Sequence, residues 1–205
     1  MRLNLVPISG THGCGKSTMI SMLSSNNWKV DNFQVSRYVQ KEIYAVASLS
    51  EILTNPFSVM AFQELILREK YENDIKLMMN KRTDDLPNAL TDIIFTERSF
   101  ADIAAYATLW LTRFGQHQIY LNWLKNYRAI CAIYQKRLYG HNIFLSAIEF
   151  FEDDPRRADK NDRELYNTLL LEFFNENHIS LVNVPNGTPE QRYEGLVKQL
   201  HSIYG

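Results

Sequence analysis

The 205-residue chain, 45% hydrophobic and 22% charged with a net charge of −1, is long enough for one α/β domain with a substantial core and too short for two comfortable ones. Near-neutral charge excludes the global basic field of a dedicated DNA-binding module, although it leaves a local basic patch open. Two distant cysteines, Cys14 and Cys131, are no disulfide framework and fit a reducing intracellular compartment. The apolar start RLNLVPISG is too short for a signal peptide, and no run approaches the roughly 18 apolar residues of a membrane span. A soluble cytoplasmic protein without membrane contact is therefore expected.

Short apolar runs alternate with helical patterns, without repeats or a Gly/Ser/Pro linker. Residues 3–9 read as a strand, in which Pro7 cannot donate to a ladder and predicts a local irregularity. A glycine-rich loop and a helical run over 18–23 follow. Residues 28–35 form a weaker second strand leading into Ser36-Arg37-Tyr38. Asn55-Pro56-Phe57 opens a helix to about Lys81. A third strand over 91–96 precedes a helix over 100–110. The aromatic-rich helix over about 117–139 suits either the core or the face of a homodimer. A fourth strand over 141–148 precedes a helix whose start is marked by Asn161 and Glu164. A fifth strand over 179–184 leads into Thr188-Pro189-Glu190-Gln191, an N-cap threonine, a first-position proline and a capping-box glutamine. Continuous apolar strands separated by helices predict a five-stranded parallel sheet with helices on both faces, a three-layer α/β fold.

Gly10-Thr11-His12-Gly13-Cys14-Gly15-Lys16-Ser17, followed by Thr18, matches G-x-x-x-x-G-K-[ST] in full. Its place between a strand and a helix is the context that identifies a phosphate-binding loop and with it the P-loop NTPase fold. The glycines let backbone N–H groups turn inward around phosphate oxygens, and the helix N-terminus adds positive charge. Lys16 is expected to reach the β- and γ-phosphates of ATP, and the Ser17 hydroxyl to sit on Mg²⁺. His12 and Cys14 stand at variable positions of the loop and receive no catalytic role.

The third strand ends in Glu97-Arg98-Ser99. Ligands of open α/β sheets bind at the carboxyl ends of strands, so Glu97 is expected in the Mg²⁺ shell and Arg98 on the transferred phosphoryl group. The dense charged segment 152–160 carries Arg156 and Arg157, expected on a lid that closes over bound ATP, with Arg163 seven residues beyond Arg156. On the acceptor side, Gln63 shares a helix face with Val59, Ile66 and Leu67 and either reads a nucleobase edge or is a core glutamine. Arg37 is placed to clamp an acceptor phosphate and Tyr38 to stack on a ring. The loop over 185–188 is, by position, where the adenine of ATP would lie.

With these residues the chain resembles the P-loop nucleoside and nucleotide kinases, a group of deoxynucleoside kinases, thymidylate kinases and nicotinamide-riboside-kinase-like proteins with many phage members. The likeness rests on ISGTHGCGKST, TERSFADIAAY, the AFQ helix and FEDDPRRADKNDRELYNTLL. It implies a single kinase domain over 1–205 with a lid at about 150–163. It further implies that Glu97 and Arg98 match the acid–arginine motif, that Arg156 and Arg157 are lid arginines and that Gln63 is a base-reading glutamine. One departure stands out. Nucleoside kinases of this type carry a glutamate general base after the second strand, where this chain has Ser36-Arg37. An arginine there is similar to the monophosphate and polynucleotide kinases, where it holds an acceptor phosphate, and an acceptor that is already a phosphate needs less help losing a proton.

The expected activity is transfer of the γ-phosphate of ATP to a nucleoside or nucleotide, with a deoxynucleoside monophosphate favoured. The rival is a kinase acting on nucleic acid, at a 5′-hydroxyl end or a modified base, served by Arg37, Tyr38 and the basic residues Lys125, Arg128, Lys136 and Arg137. A nucleotide-switch ATPase working with a protein partner is the alternative of a different class.

Overall fold

The computed structural model describes residues 4–79, 93–115, 117–146 and 160–204. Five strands form one parallel sheet: β1 (Asn4–Ser9), β2 (Lys29–Asp31), β3 (Ile93–Glu97), β4 (Asn142–Leu145) and β5 (Leu181–Val184), in the order β2-β3-β1-β4-β5. Seven α-helices are described: α1 (Lys16–Ser25), α2 (Val35–Tyr38), α3 (Pro56–Met79), α4 (Phe100–Thr112), α5 (Gln118–Leu138), α6 (Lys160–Glu176) and α7 (Pro189–Tyr204). No described helix is long and apolar enough to cross a membrane.

Alternation along the strands builds the three layers. Val6, Ile8, Ile93, Phe95, Ile143, Leu145, Val182 and Val184 face α1 and α7, meeting Met19, Leu23, Leu196 and Leu200. Leu5 and Phe144 face the other way, into a larger core with Phe62, Phe100, Tyr127, Tyr166 and Phe173 from α3 to α6. Ser9 follows the parity of Leu5, so its hydroxyl emerges on the α4 side of the sheet. Pro7 sits where the β1–β4 ladder breaks. The register slips by one residue between the bridge Leu5–Tyr139 and the pair Ile8–Ile143, so the missing N–H falls in the gap. The irregularity expected of this proline is present.

Two local readings are corrected. The second strand is only three residues long, because Asp31 Oδ1 accepts from the Phe33 N–H at 3.2 Å and turns the chain. Arg37 and Tyr38 therefore lie on α2, which runs on into a wider turn at Val39–Ile43, and not at a sheet end. Asn161 and Glu164 both lie in the first described turns of α6, and the residues before Lys160 lie outside the described residues. Thr188 and Gln191 do form the expected capping box of α7, each side chain bonding the other's backbone N–H.

A buried polar knot ties α3 to β3. Lys70 and Asp74 are both fully buried and paired at 3.0 Å. Lys70 also donates to Thr96 Oγ1 at 2.8 Å, and Tyr139 donates to the second Asp74 oxygen. Thr96 directly precedes Glu97-Arg98, so this pair sets the height of α3 against the carboxyl end of β3. Breaking one partner strands a charge in the core, which costs about 3–5 kcal/mol. Asp74→Leu is thus expected to lose roughly that much stability in urea unfolding, and the double variant Lys70→Met/Asp74→Leu to lose less than the single one.

Candidate active site

The loop between β1 and α1 is shaped by what its glycines permit. At Gly10 (φ 144°) a Cβ would stand 2.5 Å from the Leu145 carbonyl and 2.7 Å from Cys14 Sγ, so only glycine lets β1 pass that close to the end of β4. Gly15 is the N-cap of α1 with φ 91°, and neither a capping side chain nor an acidic first-turn residue occupies the helix start. Those N–H groups are left for an anion. Lys16 is 5% exposed, and its ammonium folds onto the loop, donating to the carbonyls of Gly10 at 2.7 Å and Thr11 at 2.6 Å. Burial lowers its pKa.

Beneath the loop lies Asp102, a residue that sequence reasoning passed over. It is fully buried at the third position of α4. Its carboxylate accepts from the Ser9 hydroxyl, from the Ser99 hydroxyl at 2.9 Å and backbone at 2.8 Å, and from Tyr166 at 2.5 Å, with the Gly10 N–H at 3.5 Å. Ser99-x-x-Asp102 is a capping box with aspartate as the acid. That spacing was the signal available, but it does not say that Ser9, 93 residues earlier, closes the arrangement.

Arg98 takes a left-handed backbone (φ 64°), unusual for a side chain of its size, and its N–H is held by the Ile8 carbonyl at 3.0 Å. Its guanidinium stacks 4.8 Å over the Tyr106 ring, and its buried Nη1 has no partner among the described residues. Burial alone would lower its pKa, but Tyr106, Tyr166 and Asp102 outweigh that and raise it, so the cation persists. Glu97 accepts from Gln34 Nε2 at 3.1 Å.

These groups surround a cavity of about 380 Å³ at the carboxyl ends of β1 and β3, walled by Lys16, Ser17, Glu97, Arg98, Arg37 and Phe33 among others. Glu97 is the carboxylate of that wall. Ser17 and Glu97 offer hard oxygen donors to one space, a set that fits Mg²⁺ completed by water and phosphate oxygens. Three or more metal-ligating side chains cluster nowhere among the described residues. A narrower slot of about 70 Å³ shares His12 and Arg98 with this cavity and runs between α3 and α4, past Tyr106 and Trp110 to Gln63. Gln63 is 1% exposed, and its Nε2 has no partner among the described residues. His12 lies edge-on to Tyr106, at a centroid distance of 5.7 Å. Burial in the cavity wall and then the charges of Arg98, Lys16 and Arg37 lower its pKa to about 3, so the ring is neutral even though it faces open space.

Of the acceptor-side residues, Arg37 is exposed at the cavity wall and Gln63 ends the slot, but Tyr38 is displaced. Its ring packs 5.4 Å from Phe33, and Phe33 takes the wall position expected of Tyr38. Arg163 reaches the loop from α6, with Nη1 4.0 Å from where a Cβ on Gly13 would stand and a buried, unpartnered Nε among the described residues. Arg156 and Arg157, with most of the expected lid, lie outside the described residues. The basic cluster on α5 is partly committed elsewhere, since Arg128 bonds Thr108 and Glu176 and covers the Phe173 ring. A second cavity of about 360 Å³ opens on the other side of α1, lined by Met19, Met22, Gly187, Thr188 and Arg192, and so reaches the 185–188 loop.

No curated protein sequence matches the chain. Among solved structures, the NadR protein in complex with NR aligns with TM-score 0.69 at 13% identity, over 98% of this chain and 51% of its own. A deoxyadenosine kinase from M. mycoides with products bound aligns with TM-score 0.66 at 16% identity, over 97% of this chain and 100% of its own. Thymidylate kinase from Candida albicans aligns with TM-score 0.60 at 17% identity, over 98% and 92%. This chain thus spans about half the length of NadR and nearly all of the two kinases. At such identities the likeness establishes the fold, that of P-loop nucleoside and nucleotide kinases, as the motifs led one to expect. The family model of the AAA domain matches residues 5–192, and the chain belongs to that family.

Proposed function

We propose that the chain is an ATP-dependent phosphotransferase that carries the γ-phosphate to a nucleoside or nucleotide, with a deoxynucleoside monophosphate favoured. The observation that carries this reading is the junction of two spaces. A cationic cavity holding Lys16, Arg98 and Arg37 opens into an aromatic slot that ends on Gln63. The first suits phosphates and the second a planar ring with a polar edge. The deoxyadenosine and thymidylate kinases among the fold neighbours act on such acceptors by name.

In this reading Lys16 leaves the Gly10 and Thr11 carbonyls for the β- and γ-phosphates, which offer it full negative charge. Arg98, already aimed and charged, meets the charge that spreads over the phosphoryl oxygens. Ser17 and Glu97 would hold Mg²⁺, which would supply charge neutralisation for the phosphates. Arg163, beside Gly13, joins from α6, and Arg156 and Arg157 are assigned to the same task from their sequence alone. Gln63 reads the acceptor ring, and Phe33 rather than Tyr38 is the aromatic at its wall. His12, neutral with its pKa lowered to about 3 by burial and then by Arg98 and Lys16, adds no positive charge to the cavity wall. The carboxylate that ends the second strand, Asp31, is spent on the Phe33 N–H and on Asn73 at 2.8 Å. An acceptor that is already a phosphate needs less help losing a proton and fits that engagement. The adenine of ATP is placed in the cavity beside Gly187 and Thr188.

A panel of free nucleosides, monophosphates and 5′-hydroxyl oligonucleotides with labelled ATP tests the reading. Label is expected in small acceptors, and transfer to oligonucleotides alone would replace it with the nucleic-acid kinase. ATP turnover with no phosphorylated product would point to the switch ATPase. Lys16→Ala is expected to abolish transfer with unchanged unfolding. Arg98→Ala is expected to lower kcat by about two orders of magnitude or more, since each 1.4 kcal/mol of lost transition-state stabilisation is about tenfold. A change confined to KM would make Arg98 a binding residue. Arg37→Ala is expected to raise KM for a monophosphate about tenfold and leave KM for the nucleoside within about twofold, the loss of one charged contact.

A further inference from the structure

A loop that turns N–H groups inward must turn carbonyls outward, and an outward carbonyl that is buried needs a donor. For the Cys14–Gly15 peptide the donor comes from the last helix. Arg192, in the first turn of α7, is 2% exposed. Its Nη1 donates to the Cys14 carbonyl at 2.8 Å, and Nη2 to the Ser146 carbonyl, just past β4, at 3.4 Å. Two features hold the helix for this contact. The Thr188–Gln191 capping box fixes its first turn, and Gly195 seats it on Pro185 so closely that a Cβ would stand 2.7 Å from Pro185 Cγ. In a trans peptide the C=O and N–H point to opposite sides. Gripping the Cys14 oxygen from outside therefore turns the Gly15 N–H toward the inside of the loop, where α1 begins.

We propose that Arg192 is a positioning residue for phosphate binding, holding the Cys14 carbonyl so that the Gly15 N–H and the first turn of α1 face the phosphates. This rests on the nucleotide-binding reading of the loop. Arg192 also walls the second cavity, where its buried Nε has no partner among the described residues. Reading the base there is the competing role, and the two roles separate by ligand. A positioning arginine matters equally to ATP and to a triphosphate without a base, whereas a base reader matters to ATP alone.

The test is titration of the full chain, with Mg²⁺ present, by ATP and by inorganic tripolyphosphate, in wild type, Arg192→Met and Arg192→Lys. Both ligands are expected to bind Arg192→Met about tenfold more weakly or worse, as for loss of a charged hydrogen bond. Arg192→Lys is expected to recover part of that loss for both. The Gly15 amide resonance is expected to move on ATP addition in wild type and far less in Arg192→Met. A loss for ATP with tripolyphosphate unchanged overturns the proposal in favour of base reading, and unchanged affinity for both overturns it outright. If urea unfolding shows that Arg192→Met does not fold, Arg192→Lys decides by the same comparison: an equal loss for both ligands upholds the proposal, and any other pattern overturns it. A wild-type chain that binds neither ligand would instead remove the nucleotide-binding reading itself.

Discussion

A carboxylate with no access to water is tolerable only where donors surround it, and Asp102 meets that condition by drawing three parts of the chain to one point. Ser9 and Gly10 bring the end of the central strand, Ser99 brings the start of α4, and Tyr166 brings α6. Each donor is also a neighbour of the phosphate loop or of Arg98. The loop therefore stands on a floor whose position is set by one buried anion, which also lies at the positive end of α4. Tyr166 keeps its proton for this bond, because burial and the adjacent Asp102 hold its pKa well above the usual value.

Above that floor the charge balance reverses. Lys16, Arg37 and Arg98 wall the cavity, Arg163 reaches toward Gly13, and Glu97 answers from the wall with a carboxylate already engaged by Gln34. An unpaired cation in a partly enclosed space favours an anionic ligand in proportion to how little water screens it. The neutral ring of His12 belongs to the same pattern, because burial first and then the charges of Arg98 and Lys16 disfavour another cation. Arg98 is the best prepared of the set. Its left-handed backbone, the Ile8 carbonyl and the Tyr106 face all fix one direction, so an anion would meet a guanidinium that needs little reorganisation.

The sheet order explains why these groups meet. From β1 the chain runs toward the β2 edge of the sheet and from its neighbour β4 toward the β5 edge, so a crevice opens between their carboxyl ends. The phosphate loop fills the mouth of that crevice, with Glu97-Arg98 on one side and the end of β4 on the other. The closeness of Leu145 to Gly10 is the cost of this arrangement, and glycine is the residue that meets it. The Lys70–Asp74 knot below Thr96 and the Arg192 grip on Cys14 work from either flank of the same junction.

Local chemistry alone determined the phosphate loop, the parallel sheet, the capping box of α7, the break at Pro7 and the acid–arginine pair at the end of β3. Each is set by a few consecutive residues or by a short period of apolar positions, and so can be read without knowing what packs against it. The tertiary structure alone decided which residues reach the site from afar. Asp102 matters because Ser9 and Tyr166 arrive beside it, and Arg192 because the end of the chain folds back onto Cys14. Phe33 displaced Tyr38 at the cavity wall because Asp31 bonds the Phe33 N–H and ends the strand early, a competition between side chain and ladder that strand propensity does not register. Arg128, which looked like part of a basic patch, was claimed by Glu176 and Phe173. The phosphate loop was legible because its function lies in its own backbone, whereas its supports were hidden because they are contacts between residues tens to more than a hundred positions apart.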